Sequence, residues 1–455
     1  MGRSDFRLLF IVRALRYRNY RLFFGGQGIS LMGTWMQQVA VIWLVYRMTN
    51  STLLLGVVAF ASQIPAFILT PFAGVIADRW DRYRILLTTQ VLATAQAFIL
   101  MILFMSGAIA VWQVIALSIF LGLVSAFEIP ARHAFVFELV ENKKDLGNAI
   151  ALNSSIFNVA RLVGPCIAGI VIASSNEGIC FLLNGISYFA VIISLVLMKI
   201  AKRKKEVKKF HIVKGLKEGV NYAFGLAPIR YILLLVGFIS LVGMPYVILM
   251  PVFATEVLHG GPKTLGFLMA ASGAGALLGA VYLASRKTVV GLGKRMAFAA
   301  SAFGLGLALF SLSNVFWLSL LSMIFAGVGM MVQMAGSNTV LQTIVEDDMR
   351  GRIMSLYTMA FIGTVPFGSL IIGALAGKIG APNTLLISGL SCILGAALFA
   401  LKLPEIRMAI RPIYKRKGII PIEAADIQSP AELIIPPEDY ASASDKPMDP
   451  RLRSI

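Results

Sequence analysis

Charged side chains are scarce in the long apolar stretches of this chain, so each one found there constrains the chemistry. Arg161 lies deep in the stretch 147–174, where an unpaired guanidinium in a bilayer costs at least ~2.5 kcal/mol on insertion scales. It needs a counter-charge or a wet cavity. Two readings fit: contact with an anion or a substrate, or a hydrogen-bonding hub that packs its helix against its neighbours. Asn153, Phe157 and Arg161 recur at i, i+4 and i+8 and so share one helical face, which favours a polar lining.

Glu128 is the one acid inside the apolar runs, and Arg132 follows it at i+4, the favourable order for an intrahelical pair. That pair reads either as a gate at the end of a helix or as a proton carrier. In the first run, Gln27, Ser30, Thr34, Gln37 and Gln38 form a polar stripe whose amides would go unsatisfied against lipid. The stripe faces a cavity or another helix. Met330, Met331, Gln333, Met334 and Asn338 give a later run a pliable surface, suited to bulky ligands or to simple packing.

The elements that must position these residues follow from composition. Of 455 residues, 58% are hydrophobic and 14% charged, which a water-facing surface does not tolerate. Apolar runs near 20–46, 53–77, 85–106, 111–131, 147–174 and 178–199, then 231–255, 264–285, 296–313, 315–341, 353–377 and 384–402, are each long enough to cross ~30 Å of hydrocarbon. The expected fold is an all-α membrane protein of twelve transmembrane helices in two six-helix bundles, 20–199 and 231–403. Residues 1–19 form the N-terminus, 200–230 a basic linker with Lys202-Arg-Lys-Lys205, and 404–455 a proline-rich tail expected to be disordered.

Among 41 Lys and Arg, only Arg47, Lys263 and Lys378 fall in the loops opposite the termini. The positive-inside rule therefore places both termini in the cytoplasm. The first twenty residues carry Arg throughout and lack a cleavage site, so the first run is a span that stays. The net charge of +19 has no aromatic-basic module behind it, and no nucleic acid is expected as a partner. Cys166, Cys180 and Cys392 read as packing residues. An integral-membrane enzyme would need clustered catalytic groups, whereas His133, His211 and His259 are scattered; no metal or cofactor is expected. No Gly-Lys-Ser/Thr phosphate loop is present.

The halves echo one another. Leu55-Gly56 and Ser62 recur as Leu265-Gly266 and Ser272; Leu139-Val-Glu141, Gly147 and Pro165 recur as Ile344-Val-Glu346, Gly351 and Pro366. A parallel repeat of this kind accompanies carriers that rock around a midplane site.

The loop Gly74-x-x-Ala77-Asp78-Arg79-x-x-Arg82-x-Arg84 resembles the loop 2-3 motif of the major facilitator superfamily. Pro130-Ala-Arg132-His-Ala-Phe135, Asn158-Val-Ala-Arg161-Leu-Val-Gly164-Pro165 and Arg350-Gly-Arg352 leading to Pro366-Phe-Gly368 narrow the resemblance to the bacterial branch of enterobactin exporters and macrolide-efflux permeases, over residues 15–403. Gly164-Pro165-x-x-Ala168-Gly169 is similar to the exporter motif of span 5, with Ala151 and Ala160 where the full motif has glycines. Position 81 is Asp where many members have Gly, and span 4 carries Ser118-Ile-Phe-Leu-Gly122 in place of the Arg of many proton-coupled antiporters.

The resemblance implies a secondary transporter of the bacterial inner membrane that exports a bulky organic solute, siderophore or drug-like, by alternating access against a proton counter-ion. A lysophospholipid carrier of the same fold is the alternative. Its partners would be a small-molecule substrate and the lipid bilayer. The implied substrate cavity takes Gln27, Thr34, Gln38, Asn153, Phe157, Arg161, Gln333 and Met334; Glu128 and Arg132 would serve coupling. Asp78, Arg79, Arg82 and Arg350 would form a cytoplasmic gate, with Asp78 at the N-terminal end of span 11 near Ile353. The alternative for that loop is a purely topogenic role.

Overall fold

The computed structural model describes residues 13–199, 212–286 and 288–420, with the side chains of 70–72, 74–79, 143 and 212–217 outside that description. The apolar runs are helices because, without water, each backbone N–H and C=O must be bonded within its own segment. The first half comprises α1 (Arg18–Thr49), α2 (Thr52–Arg79), α3 (Arg82–Met105), α4 (Val111–Leu139), α5 (Leu146–Ser174) and α6 (Glu177–Val196). After α7 (Ile212–Gly225) come α8 (Ala227–Val242), α9 (Tyr246–Val252), α10 (Pro262–Ala284), α11 (Leu292–Ser311), α12 (Phe316–Ile344), α13 (Asp347–Ile362), α14 (Val365–Ile379), α15 (Ala381–Leu401) and α16 (Leu403–Arg416).

Among the described residues, eleven helical stretches are long and apolar enough to cross a membrane. The ninth position belongs to α11, 20 residues opened by Lys294 and Arg295 and packed against α12 and α15. Two spans are broken. Span 7 is α8 and α9 around Gly243 and Pro245, extended by a π turn at Phe253–Val257. Span 11 is α13 and α14, parted at Gly363 and restarted with Pro366 in the first turn. Proline removes an N–H and clashes with the preceding turn, which accounts for both breaks.

Three boundaries and one count of acids differ from the sequence expectation. The second part of the 200–230 linker is the helix α7, and residues 200–211 lie outside the described residues. Span 11 begins at Asp347 rather than near Ile353, because Glu346 stands at its N-cap and Asp347 and Asp348 fill a first turn whose free N–H groups favour acids. The tail does not lose structure at 404. Helix α16 runs to Arg416 and buries Leu403, Ile406, Ile410 and Tyr414 at helical spacing against α8, α12 and α15; residues 421–455 lie outside the description. Finally, Glu128 is not alone, since Glu177 opens α6 and Glu256 sits in the π turn after α9.

Within the first half α1 and α3 pack on α6 and α2 packs on α4; within the second, α10 and α11 pack on α12. The halves meet chiefly along two lines, α2 with α14 and α5 with α10. The sequence repeat explains this pairing. A Cβ on Gly56 would sit 2.5 Å from the Ser369 carbonyl, and one on its counterpart Gly266 would sit 2.6 Å from the Pro165 carbonyl and 2.9 Å from Gly169 Cα. Both glycines therefore lie backbone to backbone against the other half. Thr52 Oγ1 adds a hydrogen bond to the Gly373 carbonyl at 2.8 Å. The echoed Ser62 and Ser272 act inside the halves, their carbonyls lying against Gly122 of α4 and Gly327 of α12.

Candidate functional site

Two faces can be distinguished: a terminal face carrying Arg13, the end of α16 and α7, and a distal face carrying the loops after α1, α5, α9 and α14. On the distal side the halves are joined by the glycine lines and by Tyr46, whose hydroxyl donates to Glu256 Oε1. A cavity of about 260 Å³ lies there, lined by Trp43, Tyr46, Arg47, Asn50, Thr255 and Glu256. Arg47 is turned to its own half, with Nε 2.8 Å from Glu177 Oε1.

On the terminal side, among the described residues, Asp145, Arg82 and Arg350 have ion-pair partners in their own halves. Asp145, almost fully buried, meets Arg13 Nε at 2.5 Å and Arg16 Nη2 at 2.6 Å and accepts from the Tyr17 hydroxyl at 2.8 Å. Arg82 Nη1 reaches Glu138 Oε1 at 2.8 Å and the Ala134 carbonyl at 3.2 Å. Arg350 Nη2 pairs with Asp347 Oδ1 at 2.5 Å one turn away. Arg352 binds Glu218 of α7 at 2.8 Å, and Lys417 Nζ donates to the Thr343 carbonyl at 2.7 Å, capping the C-terminal end of α12. Asp81 acts locally, as the N-cap of α3, where its carboxylate accepts from the Tyr83 N–H at 3.0 Å. The side chains of Asp78 and Arg79 lie outside the described residues.

Between these faces, α5 crosses α1 and α10. A Cβ on Gly164 would lie 2.6 Å from Trp35 Cβ, and one on Gly273 would lie 2.9 Å from the Arg161 carbonyl. Those two close approaches put Arg161 where both halves converge. Its guanidinium carbon stands 5.9 Å from the Trp35 ring centroid, and Nη2 lies 3.6 Å from Met330 Sδ on α12. Trp35 in turn meets Phe157 edge-on, with centroids 5.9 Å apart and Phe157 42% exposed. Among the described residues no carboxylate lies within ion-pair distance of Arg161, and none of its nitrogens is both sealed from solvent and unpaired. The cluster thus presents one cation beside the Trp35 ring and a thioether, with Phe157 edge-on to that tryptophan.

From this level toward the terminal face, Ser154 and Ser155 of α5, Thr339 and Gln342 of α12 and Ser355 and Thr358 of α13 are exposed. Polar side chains at this depth belong on a wet face rather than against lipid. Asn153 is half-buried one turn from Phe157.

The other sequence-derived residues scatter. On α1 the stripe divides: Gln27 is buried, Thr34 Oγ1 donates to the Ser30 carbonyl at 2.9 Å, and Gln38 is exposed. Gln37 lies in a buried network, donating to Gln96 Oε1 at 2.9 Å and accepting from Asn184 Nδ2 at 2.7 Å, which ties α1 to α3 and α6. Gln333 is fully buried on the α12 face whose Gly329 and Gly336 lie against α11, with Oε1 lacking a partner among the described residues. Met334 is buried and lends its carbonyl to the Tyr357 hydroxyl at 2.9 Å. Glu128 and Arg132 form the expected pair at 3.1 Å, both largely buried. Sequence reasoning passed over Trp35, Tyr46, Asp145 and Glu256. Only Trp35 carried a signal, since tryptophan at mid-span departs from its usual place at the membrane interfaces.

A helical membrane protein of two repeated six-helix halves meeting around a midplane cluster is built as a carrier. The family model for transmembrane secretion effectors matches residues 12–417, and the chain belongs to that family of the major facilitator superfamily. It is 27% identical over 380 residues to the staphyloferrin A transporter of Staphylococcus aureus, covering 82% of this chain and 93% of that protein. It is 23% identical to macrolide efflux protein A of Streptococcus pyogenes, over 86% of this chain and 98% of that one. The multidrug efflux pump Tap of Mycobacterium tuberculosis is 25% identical, with 84% and 91% covered. A POT family transporter in complex with 5-aminolevulinic acid shares the fold at a TM-score of 0.69 and 13% identity, covering 86% of this chain and 96% of that one.

Proposed function

We propose that the protein is a secondary transporter of the bacterial inner membrane that exports a bulky organic solute by alternating access, with the terminal face in the cytoplasm. The basic residues crowded on that face support the orientation. The siderophore and drug carriers among its relatives support the cargo class. The observation that carries the reading is the asymmetry of contact between the halves: backbone against backbone on the distal side, and a polar, exposed lining toward the terminal side. The structure is then the inward-facing state, with cargo entering from the cytoplasm to Trp35, Phe157 and Arg161.

Glu128 is assigned as the proton carrier, held by Arg132 while charged and released from it on protonation. Asp78, Arg79, Arg82 and Arg350 are assigned to the cytoplasmic gate, exchanging partners within each half for partners across it when the distal side opens. Arg82 and Arg350 are poised on such partners now, in Glu138 and Asp347.

The test is uptake into energised everted vesicles of a panel of siderophores and amphipathic drugs. Accumulation of at least one member that collapses with Trp35→Ala is expected. Vesicles that accumulate none, or reconstituted protein that moves lysophospholipid between leaflets instead, would overturn the export reading. Glu128→Gln is expected to leave downhill exchange intact while abolishing accumulation driven by a pH gradient.

A further inference from the structure

The midplane cluster also narrows the chemical class of the cargo, on the reading that cargo binds there. We infer that the solute carries an exposed carboxylate or comparable anionic group attached to an apolar or aromatic body. The carboxylate takes the free edge of the Arg161 guanidinium, and the body lies against Trp35 and Phe157.

Charge accounting in the cluster supports this. Among the described residues, Arg161 has a thioether and a ring as near partners, at 3.6 Å and 5.9 Å. Neither neutralises it. The acid on the inner helices of the first half, Glu128, is already held by Arg132 at 3.1 Å, and Glu177 by Arg47 at the distal end. The cluster is therefore net positive. A planar guanidinium matches a carboxylate through two parallel N–H···O bonds, and inside a low-dielectric cleft such a bond is stronger than in water. A cationic amine would instead meet like charge with no carboxylate to receive it.

The rest of the cluster specifies the body. Phe157 is 42% exposed and its ring stands edge-on to Trp35, 5.9 Å between centroids, leaving an aromatic face unpartnered beside the cation. Met330, buried behind the guanidinium, backs one nitrogen with a thioether and leaves the outer edge of Arg161 to the solute. An anion lacking an apolar body would leave these surfaces wet, so small inorganic anions are poor ligands.

The experiment compares three shape-matched probes, naphthaleneacetate, naphthaleneacetamide and naphthylmethylamine, by calorimetric titration of the full-length protein in lipid nanodiscs. Losing a charge-assisted hydrogen-bonded pair corresponds to roughly 10-fold or more in affinity. The expected order is acid at least ~10-fold tighter than amide, with the amine weakest. Arg161→Gln is expected to bring acid and amide to equal affinity, and Arg161→Lys to retain part of the preference as a point charge. Equal binding of all three probes, tightest binding of the amine, no binding of the acid, or an acid preference that survives Arg161→Gln would each overturn the inference. Trp35→Ala separates the two readings: if it abolishes binding of every probe while the acid shows no advantage, the midplane site stands and only its anion selectivity falls.

Discussion

The distal and terminal faces hold the same two halves by opposite means. On the distal side contact is made by what is absent: glycines at 56, 169, 266 and 373 bring carbonyls and Cα atoms of the two halves to van der Waals distance. On the terminal side long charged side chains make the contacts, and the described pairs close inside one half or onto the linker helix α7. Backbone contact is stiff and depends on shape, while exposed ion pairs are weak, exchangeable and strongly solvated. A carrier that must open one side and close the other can use the first as a latch with two positions and the second as partners to be swapped.

The comparison breaks most sharply at the glycine lines. Gly266→Val places its Cβ against two backbone atoms of α5, and overpacking of this kind destabilises by ~1–3 kcal/mol. The distal seam should part. Spin labels at Leu53 of α2 and Lys378 of α14 are expected to report a larger separation, with a fall in transport; an unchanged distance would mean that the seam does not depend on close approach. Tyr46→Phe should act in the same direction and more weakly, by about 1 kcal/mol, because it removes one hydrogen bond to a solvent-exposed carboxylate. A label distance indistinguishable from the parent would reduce Tyr46 to a bystander. The smallest effect is expected from Arg352→Ala, which severs a partly exposed pair worth roughly 0.2–1 kcal/mol. Hydrogen exchange should quicken in 218–225 of α7 while the distal label distance stays fixed, since the pair ties the linker helix to α13 on the terminal face and spans neither distal contact line.

Much of the architecture was legible because the bilayer leaves few options. Apolar runs bounded by charge become helices, and the Leu55-Gly56 and Leu265-Gly266 echo marked the halves as duplicates, though not that both glycines lie on the contact lines. Arg161 stood out for the same reason, as a charge where charge is costly. The amides were less legible. Gln37 and Gln38 differ by one position, yet about 100° of helical rotation sends the first into a network with Gln96 and Asn184 and leaves the second exposed. Nothing in a polar stripe says which edge meets another helix. Gln333 was misplaced similarly, because the glycines that turn its face to α11 were not read as contact points. Glu177 and Glu256 escaped notice because helices extend past the apolar runs that define them.

By itself the sequence marked the apolar runs that become helices, which loops gather the basic residues, that the halves are duplicates, and that one guanidinium lies deep in an apolar run. Each is a matter of composition or spacing along a single helix. The tertiary structure alone decided that this guanidinium sits beside Trp35 and Met330, drawn from opposite halves, and that Arg82 and Arg350 reach Glu138 and Asp347 of their own halves. Those facts depend on which helices touch and how far each is rotated, and that is set by the close approaches at Gly164, Gly266 and Gly273, which no local pattern encodes.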